Sequence, residues 1–349
     1  MNTSDSCLQP KASRRHVRRP FDTLRANDEK PNNKSQTLFF GIPKGTFYKK
    51  SPLAGFGAAP HEYSLTAACI RQPCKRGFEA LYSYMLIAQF RWGEDMRLFD
   101  THAHLTDKRF DNDRDTLIRS LPASGVELVM DVACDVHETC GVIALAEKYP
   151  FIYAAVGTHP HEAAGMEQAH LDIIRSQLEH EKVLAIGEIG LDYHYDFSPR
   201  DVQKKWFALQ LELAQERGVP VILHIREAFQ DCMDILRAHR RGLKGVMHCF
   251  SGSYEIAREC LDMGLYIAFG GALTFANAVK QVETAARLPM DRIVIETDCP
   301  YMTPAPYRGR RNDPSLVGYV AERLALIRGM DAERAAEKTL ENGMTLFEM

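Results

Sequence analysis

Two histidines, His102 and His104, are separated by one residue at the end of an apolar run that begins at Leu98. Successive side chains of a β-strand point to opposite faces, so imidazoles at positions i and i+2 lie on one side and can bind one metal ion. A lone His-x-His pair is also common among polar surface residues and hydrogen-bonded core histidines. The pair therefore predicts a metal site only if further ligands lie nearby.

Four more residues with metal-binding side chains come at the ends of strand-like runs. They are Glu188 after 183–187, His224 after 219–223, His248 after 245–247 and Asp298 after 292–297. Four histidines and two carboxylates form a mixed nitrogen and oxygen set, which suits two divalent ions bridged by a carboxylate and a water. Each residue alone is as well explained as a hydrogen-bonded residue at a loop edge, but all six together favour a metal centre.

Cysteines are the next ligand type to consider. Cys249 and Cys299 directly follow two of the proposed ligands, but in a continuing strand they would point to the opposite face, so we predict that they are not ligands. The chain has nine cysteines, an odd number without CxxC spacing. This usage is typical of reduced thiols in the cytoplasm and not of a disulfide framework.

Eight short aliphatic runs alternate with helical patterns from Leu98 onward. The runs are 98–102, 126–132, 152–157, 183–188, 219–224, 245–248, 265–269 and 292–297. Helical patterns such as Thr139–Lys148 and Gln203–Arg217 separate most of them. Eight such units in about 250 residues predict a (β/α)8 TIM barrel, with its chemistry at the carboxyl ends of the strands. The alternative, a doubly wound open sheet, lacks a glycine-rich phosphate motif after the first strand.

The first 95 residues differ in composition from the rest. Residues 1–95 carry 15 Lys and Arg against 8 Asp and Glu, whereas 96–349 carry 28 against 38. The segment is rich in polar residues and proline and shows no sustained periodicity. We therefore predict a disordered extension over 1–95 and one barrel domain over 96–349. No apolar run approaches the roughly 18 residues of a membrane span, so we expect no membrane association.

Six segments of the predicted barrel carry distinctive motifs. In chain order they are 99–105 (FDTHAHL), 157–161 (GTHPH), 187–193 (GEIGLDY), 224–228 (HIREA), 248–253 (HCFSGS) and 296–301 (ETDCPY). Together with Arg308-Gly309 and Asn312-Asp313-Pro314, they resemble the TatD-type metal-dependent deoxyribonucleases of the amidohydrolase-like barrels. The family more often has Glu where Asp313 stands. The resemblance covers 97–349 and none of 1–95.

The resemblance implies a site with two divalent ions, magnesium above all, with zinc or manganese as alternatives. It implies that the first ion is bound by His102, His104 and Asp298, that the second is bound by His224 and His248, and that Glu188 bridges them. It also implies hydrolysis of phosphodiester bonds in DNA. The chemistry of metal-activated water makes Asp298 the candidate proton acceptor, although it could instead be a ligand only.

Substrate contacts are harder to assign because the predicted barrel is net acidic while nucleic acid attracts basic surfaces. A local basic turn, formed by Arg308, Arg310 and Arg311, precedes Asp313 and Pro314 as the predicted start of a helix whose backbone N–H groups can face a phosphate. An ordinary solvated charge run explains the turn equally well. His159 and Arg226, at the ends of two other strands, are further candidates to line the pocket.

Other functions share part of this residue set. Zinc amidohydrolases that cleave C–N bonds have similar histidines but often place a modified lysine where Glu188 stands. Ester hydrolysis on aminoacyl-tRNA could use the same site, and a non-catalytic metal-binding scaffold would not require all six ligands. With DNA as the expected substrate, we predict a cytoplasmic protein that acts as a monomer.

The sequence also predicts that translation starts at Met96. Trp92-Gly93-Glu94-Asp95 must be encoded by UGG-GGN-GAR-GAY, which contains a GGAG ribosome-binding sequence a few nucleotides before the Met96 codon if the glycine codon is GGA. The rival is a translated basic arm that tethers the acidic barrel to nucleic acid. Intact-mass measurement on protein from its native host should show a species that begins at Met96. A main product that carries 1–95 would disprove the start-site prediction.

Overall fold

The computed structural model describes residues 96–349, and the predicted extension over 1–95 lies outside the described residues. Eight parallel strands pair in sequence order. They are β1 Leu98–Ala103, β2 Val126–Val132, β3 Ile152–Val156, β4 Val183–Asp192, β5 Val221–Arg226, β6 Gly245–Met247, β7 Leu265–Phe269 and β8 Ile293–Ile295. The predicted (β/α)8 barrel is thus confirmed.

Helices follow each strand and cover the outside of the barrel. They are α1 Arg114–Ser120, α2 Thr139–Lys148, α3 Gln168–Gln177, α4 Arg200–Arg217, α5 Phe229–Ala238, α6 Tyr254–Asp262, α7 Val279–Arg287, α8 Val317–Arg328 and α9 Ala332–Leu346. Short 3₁₀ turns occupy Lys108–Phe110, Leu121–Ser124, Pro160–Gly165, Gly271–Thr274, Met290–Arg292 and Pro314–Leu316. Within the described part of the chain, no helix combines the length and apolar content needed to span a bilayer.

Strand limits differ from prediction mainly at β4 and β5. The apolar run was expected to end at Glu188, but β4 continues to Asp192 and pairs there with Arg226 of β5. Gly187 and Gly190 interrupt the apolar pattern, so the periodicity of the sequence does not predict the second half of the strand. Glu188 therefore lies within a strand and not at its end.

The barrel interior is filled by inward-facing strand residues and is closed at one end by α9. Leu340, Leu346 and Phe347 pack into the same cluster as Phe99 of β1. A Cβ atom at Gly343 would come within 2.5 Å of the Phe99 ring, so glycine permits this close approach. The apolar plug lies opposite the carboxyl ends of the strands and leaves those ends open for polar residues.

The first and last strands meet at a seam that depends on a buried carboxyl group. Asp100 Oδ1 accepts hydrogen bonds from the backbone nitrogens of Thr297 (2.8 Å) and His102 (3.3 Å), and Asp100 Oδ2 lies 2.5 Å from Thr297 Oγ1. Beyond these bonds, Asp298 N donates to the carbonyl of His102 and His104 N donates to that of Cys299. Burial raises the pKa of Asp100 to about 8, so the group is mainly protonated at neutral pH and can donate to the threonine.

We predict that Asp100→Asn folds nearly as stably as the parent, because the amide offers one acceptor and one donor to the same partners. Asp100→Ala leaves two backbone N–H groups without their acceptor and should cost about 3 kcal/mol. Urea unfolding of metal-depleted protein measures the free energy of unfolding of both variants.

The same buried group predicts a pH dependence of stability. Because the pKa of Asp100 is raised in the folded state, its contribution to the free energy of unfolding is full below the usual pKa of 3.8 and is lost as the pH rises through about 8. The asparagine variant should therefore show a flatter pH dependence; equal stability of the alanine variant would contradict the role of the seam.

Candidate metal centre

Glu188 lies at the centre of the polar cluster at the carboxyl ends of the strands. Its side chain is almost fully buried. Glu188 Oε2 lies 3.4 Å from His102 Nε2 and 3.7 Å from His104 Nε2. Glu188 Oε1 lies 2.7 Å from His224 Nδ1 and 3.3 Å from His248 Nε2. One oxygen thus faces one histidine pair and the other oxygen faces the second pair.

Asp298 completes the first side of the cluster from across the seam. Its Oδ1 lies 3.5 Å from His104 Nε2, and ligand atoms of His102, His104 and Asp298 all lie within 4.8 Å of one another. The backbone of Asp298 has a positive φ of 56°, which is costly for a residue other than glycine. Hydrogen bonds from Asp298 N to His102 and from Tyr301 N to the Asp298 carbonyl hold that conformation.

Two histidines have a ring nitrogen committed to an acceptor away from the cluster centre. His104 Nδ1 lies 2.9 Å from the carbonyl of Val132, which can only accept, so the hydrogen is on Nδ1. His224 Nε2 lies 3.2 Å from Asp192 Oδ2, and its Nδ1 lies 2.7 Å from Glu188 Oε1. Burial lowers the pKa of His224, but the hydrogen bonds to Asp192 and Glu188 outweigh it and raise the pKa above its usual value. In the neutral ring of His104, Nε2 is a lone pair facing Glu188, and in His224 a cation at Nδ1 would take the place of the proton. Metal-binding histidines typically donate their second N–H in this way.

His248 lies between two carboxylates. Its Nδ1 is 3.1 Å from Glu296 Oε1, just after β8, and its Nε2 is 3.3 Å from Glu188 Oε1. The Glu296 oxygen accepts a hydrogen bond from Cys249 N at 2.6 Å. Burial lowers the pKa of His248, but Glu296 and Glu188 outweigh it and raise the pKa to about 9. Positive charge is therefore strongly favoured at this position, as a proton or as a bound cation.

The ring nitrogens of His102 and His104 face each other at a distance that suits a shared cation. His102 Nε2 and His104 Nε2 lie 3.1 Å apart, and His104 Nε2 is a lone pair for the reason given above. His102 Nδ1 is buried and has no hydrogen-bond partner among the described residues. Two facing imidazole nitrogens at this separation need a proton or a metal ion between them. The donor set therefore fits a divalent cation at this position.

His159 differs from the other histidines in the position of its hydrogen. Its Nδ1 accepts from the backbone nitrogen of His161 at 3.1 Å, so in the neutral ring the hydrogen is on Nε2. That Nε2 lies 3.7 Å from Glu188 Oε1. Burial, followed by the charge on His224, holds the pKa of His159 well below its usual value, so the ring is neutral. By distance His159 can join Glu188 and His224 in a metal group, but its N–H favours a donor role.

The histidine rings of the cluster determine the charge state of its two carboxylates, Glu188 and Asp298. Burial alone would raise the pKa of Glu188, but His248, His159 and His102 hold it well below the usual range. The pKa of Asp298 is lowered in the same way, with His104 opposing the effect of burial. Both carboxylates are therefore ionised at neutral pH and available as ligands.

One part of the sequence interpretation needs correction, because Cys249 does not point away from the cluster. β6 ends at Met247, so strand alternation no longer applies, and Cys249 adopts a positive φ of 43°. Its sulfur forms a potential metal-binding group with His248 and Asp298. Cys299 belongs to no such group within residues 96–349. Burial raises the pKa of the Cys249 thiol well above its usual value, so the thiol is neutral without a bound metal.

The predicted substrate-contacting arginines lie at the rim in different environments. Both terminal nitrogens of Arg311 bind Asp113, at 2.7 and 2.6 Å. Arg308 lies over the Phe275 ring and Arg310 over the Tyr307 ring, with both side chains exposed. Arg226 ends β5 and lies over the Tyr195 ring.

The predicted helix start after the basic turn is a 3₁₀ turn that leads into α8. Asp313 caps it by accepting from Ser315 N at 3.0 Å. The Asp313 carboxylate therefore already uses a backbone donor that was expected to face a phosphate.

Sequence reasoning missed three residues that orient the proposed ligands. Asp192 contacts His224, Glu296 lies beside His248, and the backbone nitrogen of His161 sets the tautomer of His159. A signal was available for the two carboxylates, because Asp192 lies four positions from Glu188 on the same strand face and Glu296 lies two positions from Asp298. The backbone nitrogen of His161 carries no such signal. The acceptor for His104, the Val132 carbonyl, carries no sequence signal because every residue has one.

An eight-stranded βα barrel with histidines and carboxylates at its strand ends defines a metal-dependent hydrolase. The family model for TatD-related DNases matches residues 99–348, so the chain belongs to this family. It is 47% identical over 251 residues to the metal-dependent hydrolase YabD of Bacillus subtilis, covering 72% of this chain and 98% of that one. It is 34% identical over 259 residues to the 3'-5' ssDNA/RNA exonuclease TatD of Salmonella typhimurium, with 72% and 99% covered.

A solved structure agrees with these matches. The crystal structure of YJJV, a TatD homologue from Escherichia coli, superposes with a TM-score of 0.69 at 33% identity, covering 73% of this chain and 99% of that one. The matched region begins close to Leu98 and includes the whole barrel.

The tautomers lead to a prediction about metal content. His248→Asn should lose one equivalent of metal after dialysis, because it removes the imidazole nitrogen that lies 3.3 Å from Glu188 Oε1. His159→Asn should keep full metal content and show a higher KM, because it removes only a donor. Metal analysis by mass spectrometry, with steady-state kinetics, measures both variants. Loss of metal in His159→Asn with retention in His248→Asn would reverse the assignment.

Proposed function

We propose that the protein is a divalent-metal-dependent phosphodiesterase that cleaves DNA. The observation that carries this proposal is Glu188, whose two oxygens face ring nitrogens of two separate histidine pairs. This arrangement suits two cations that share one carboxylate. Its place at the open end of the barrel gives a polymer access to the site.

The first cation position is formed by His102, His104 and Asp298, and the second by His224 and His248. When bound, divalent cations lower the pKa of water and neutralise charge on the oxygens of the transferring phosphoryl group. Imidazoles favour zinc and similar ions, whereas carboxylates also accept magnesium and manganese, so the mixed set admits all three.

The chain supplies groups for proton transfer and charge stabilisation. Asp298 is ionised and is the candidate to accept a proton from the attacking water. His159 directs its Nε2–H into the cluster, where it can donate to a non-bridging phosphate oxygen. Hydrolysis then needs no covalent enzyme intermediate.

Nucleic acid is supported as the substrate by the rim and by the family. Arg226, Arg308 and Arg310 are exposed cations around the open end of an otherwise acidic barrel, and each can bind a backbone phosphate. The Salmonella relative, a 3'-5' ssDNA/RNA exonuclease, acts on the same class of substrate. A monomeric state remains a prediction.

The test uses metal-depleted protein re-supplied with magnesium, manganese or zinc separately. Substrates are labelled single-stranded DNA, duplex DNA, aminoacyl-tRNA and a cyclic amide. We expect cleavage of DNA, with metal dependence. Glu188→Gln should lose at least about tenfold in activity and keep its fold, because an amide bridges two cations poorly.

Glu181→Gln is the matched control, since this exposed carboxylate lies just before β4 and far from the cluster. It should behave like the parent in activity and melting temperature. Cleavage of only the tRNA ester or only the cyclic amide would replace the proposed substrate. If Glu188→Gln retained more than about a tenth of the activity with two metals bound, the bridging role would be wrong.

A further inference from the structure

A stacked aromatic pair with one exposed ring lies beside the candidate metal centre, on the loop that follows β4. Phe197 is 45% exposed, and it is the only exposed aromatic residue within the described residues. Its ring stacks on Tyr195 with 5.2 Å between centroids and 6° between planes. The guanidinium of Arg226 lies 4.7 Å from the centroid of Tyr195. Two parallel rings and a cation thus form a continuous stack at the rim.

The loop that carries the stack is held by buried polar contacts. Asp192 Oδ1 accepts from the backbone nitrogens of His194 and Tyr195, each at 2.9 Å. Ser198, which is fully buried, donates to the carbonyl of His161 and accepts from Ala164 N. These contacts fix both flanks of Phe197, so its exposed face is presented in a defined position. Fixed presentation lowers the entropy cost of binding to that face.

The stack is joined to the metal centre through one ring. His161 packs edge-on against Phe197, with 4.9 Å between centroids, and against Tyr195, with 5.4 Å. His161 Nε2 lies 2.9 Å from Asp192 Oδ2, the atom that also binds His224. His224 in turn contacts Glu188. A planar group on Phe197 would therefore lie next to a phosphate held at the cluster.

We propose that Phe197 and Tyr195 form a stacking subsite for one unpaired nucleobase of a single-stranded nucleic acid. This inference rests on the proposed phosphodiesterase function and adds the way in which the strand is selected. An aromatic face accepts any base, because every base has a π face, while a nearby cation binds the backbone. Bases inside a duplex are already stacked on their neighbours and cannot reach the ring without being unpaired. The subsite therefore selects single strands without selecting sequence.

The test compares two substrates across four proteins. One substrate is a labelled single-stranded oligonucleotide, and the other has the same backbone with abasic tetrahydrofuran residues. The proteins are the parent, Phe197→Ala, Phe197→Trp and the control Leu326→Ala, which removes an exposed apolar side chain from α8, away from the site. Thermal melting checks that each variant is folded.

We expect Phe197→Ala to raise KM for the normal oligonucleotide at least about fivefold, with little change in kcat. Its KM for the abasic substrate should equal that of the parent, Phe197→Trp should restore binding, and Leu326→Ala should change nothing. An unchanged KM in Phe197→Ala, or an equal rise on both substrates, would overturn the stacking subsite while leaving the phosphodiesterase function in place. If the parent cleaved neither substrate with any of the three metals, the proposed function and the subsite would both be wrong.

Discussion

The balance of buried charge at Glu188 is the constraint on which the site depends. A carboxylate removed from water is unfavourable unless it is paired, and here the compensating groups are imidazoles that arrive from several other strands. Asp298 and Glu296 add further negative charge within the same cluster. Neutral imidazoles alone cannot balance these carboxylates, so the cluster must take up protons or cations. The charge arrangement therefore favours bound cations independently of ligand identity.

Acceptors outside the cluster decide which ring nitrogen faces it. A carbonyl of β2 fixes the tautomer of His104, and a carboxylate at the end of β4 contacts the outer nitrogen of His224. His159 receives a donor instead of an acceptor, so the same side-chain type presents a hydrogen where its neighbours present lone pairs. The proposed division between metal ligands and a substrate donor is thus based on the backbone and carboxylate groups behind the rings. Substitution of these outer groups should change the chemistry without removing a ligand.

The sequence predicted the architecture well because alternating aliphatic runs and helical patterns are local signals. The bounds of α2 matched the predicted Thr139–Lys148, and α4 began only a few residues before the predicted Gln203. The six proposed metal ligands were brought together, since parallel strands of a barrel end at one face. Two other features could not be predicted from the sequence. The tautomer of His104 depends on an acceptor far away in the sequence, and the orientation of Cys249 depends on a positive φ. The pairing of Arg311 with Asp113 likewise joins distant segments.

The seam at Asp100 also affects how the chain reaches its folded state. Asp100 and Thr297 are 197 positions apart, so their contact closes a very long loop and forms only when nearly the whole barrel is in place. The proposed first cation position spans the same seam, because His102 and His104 precede it and Asp298 follows it. An ion bound there would hold the two ends of the barrel together and stabilise only the closed form. The supply of metal during synthesis should therefore influence the yield of folded protein as well as its activity.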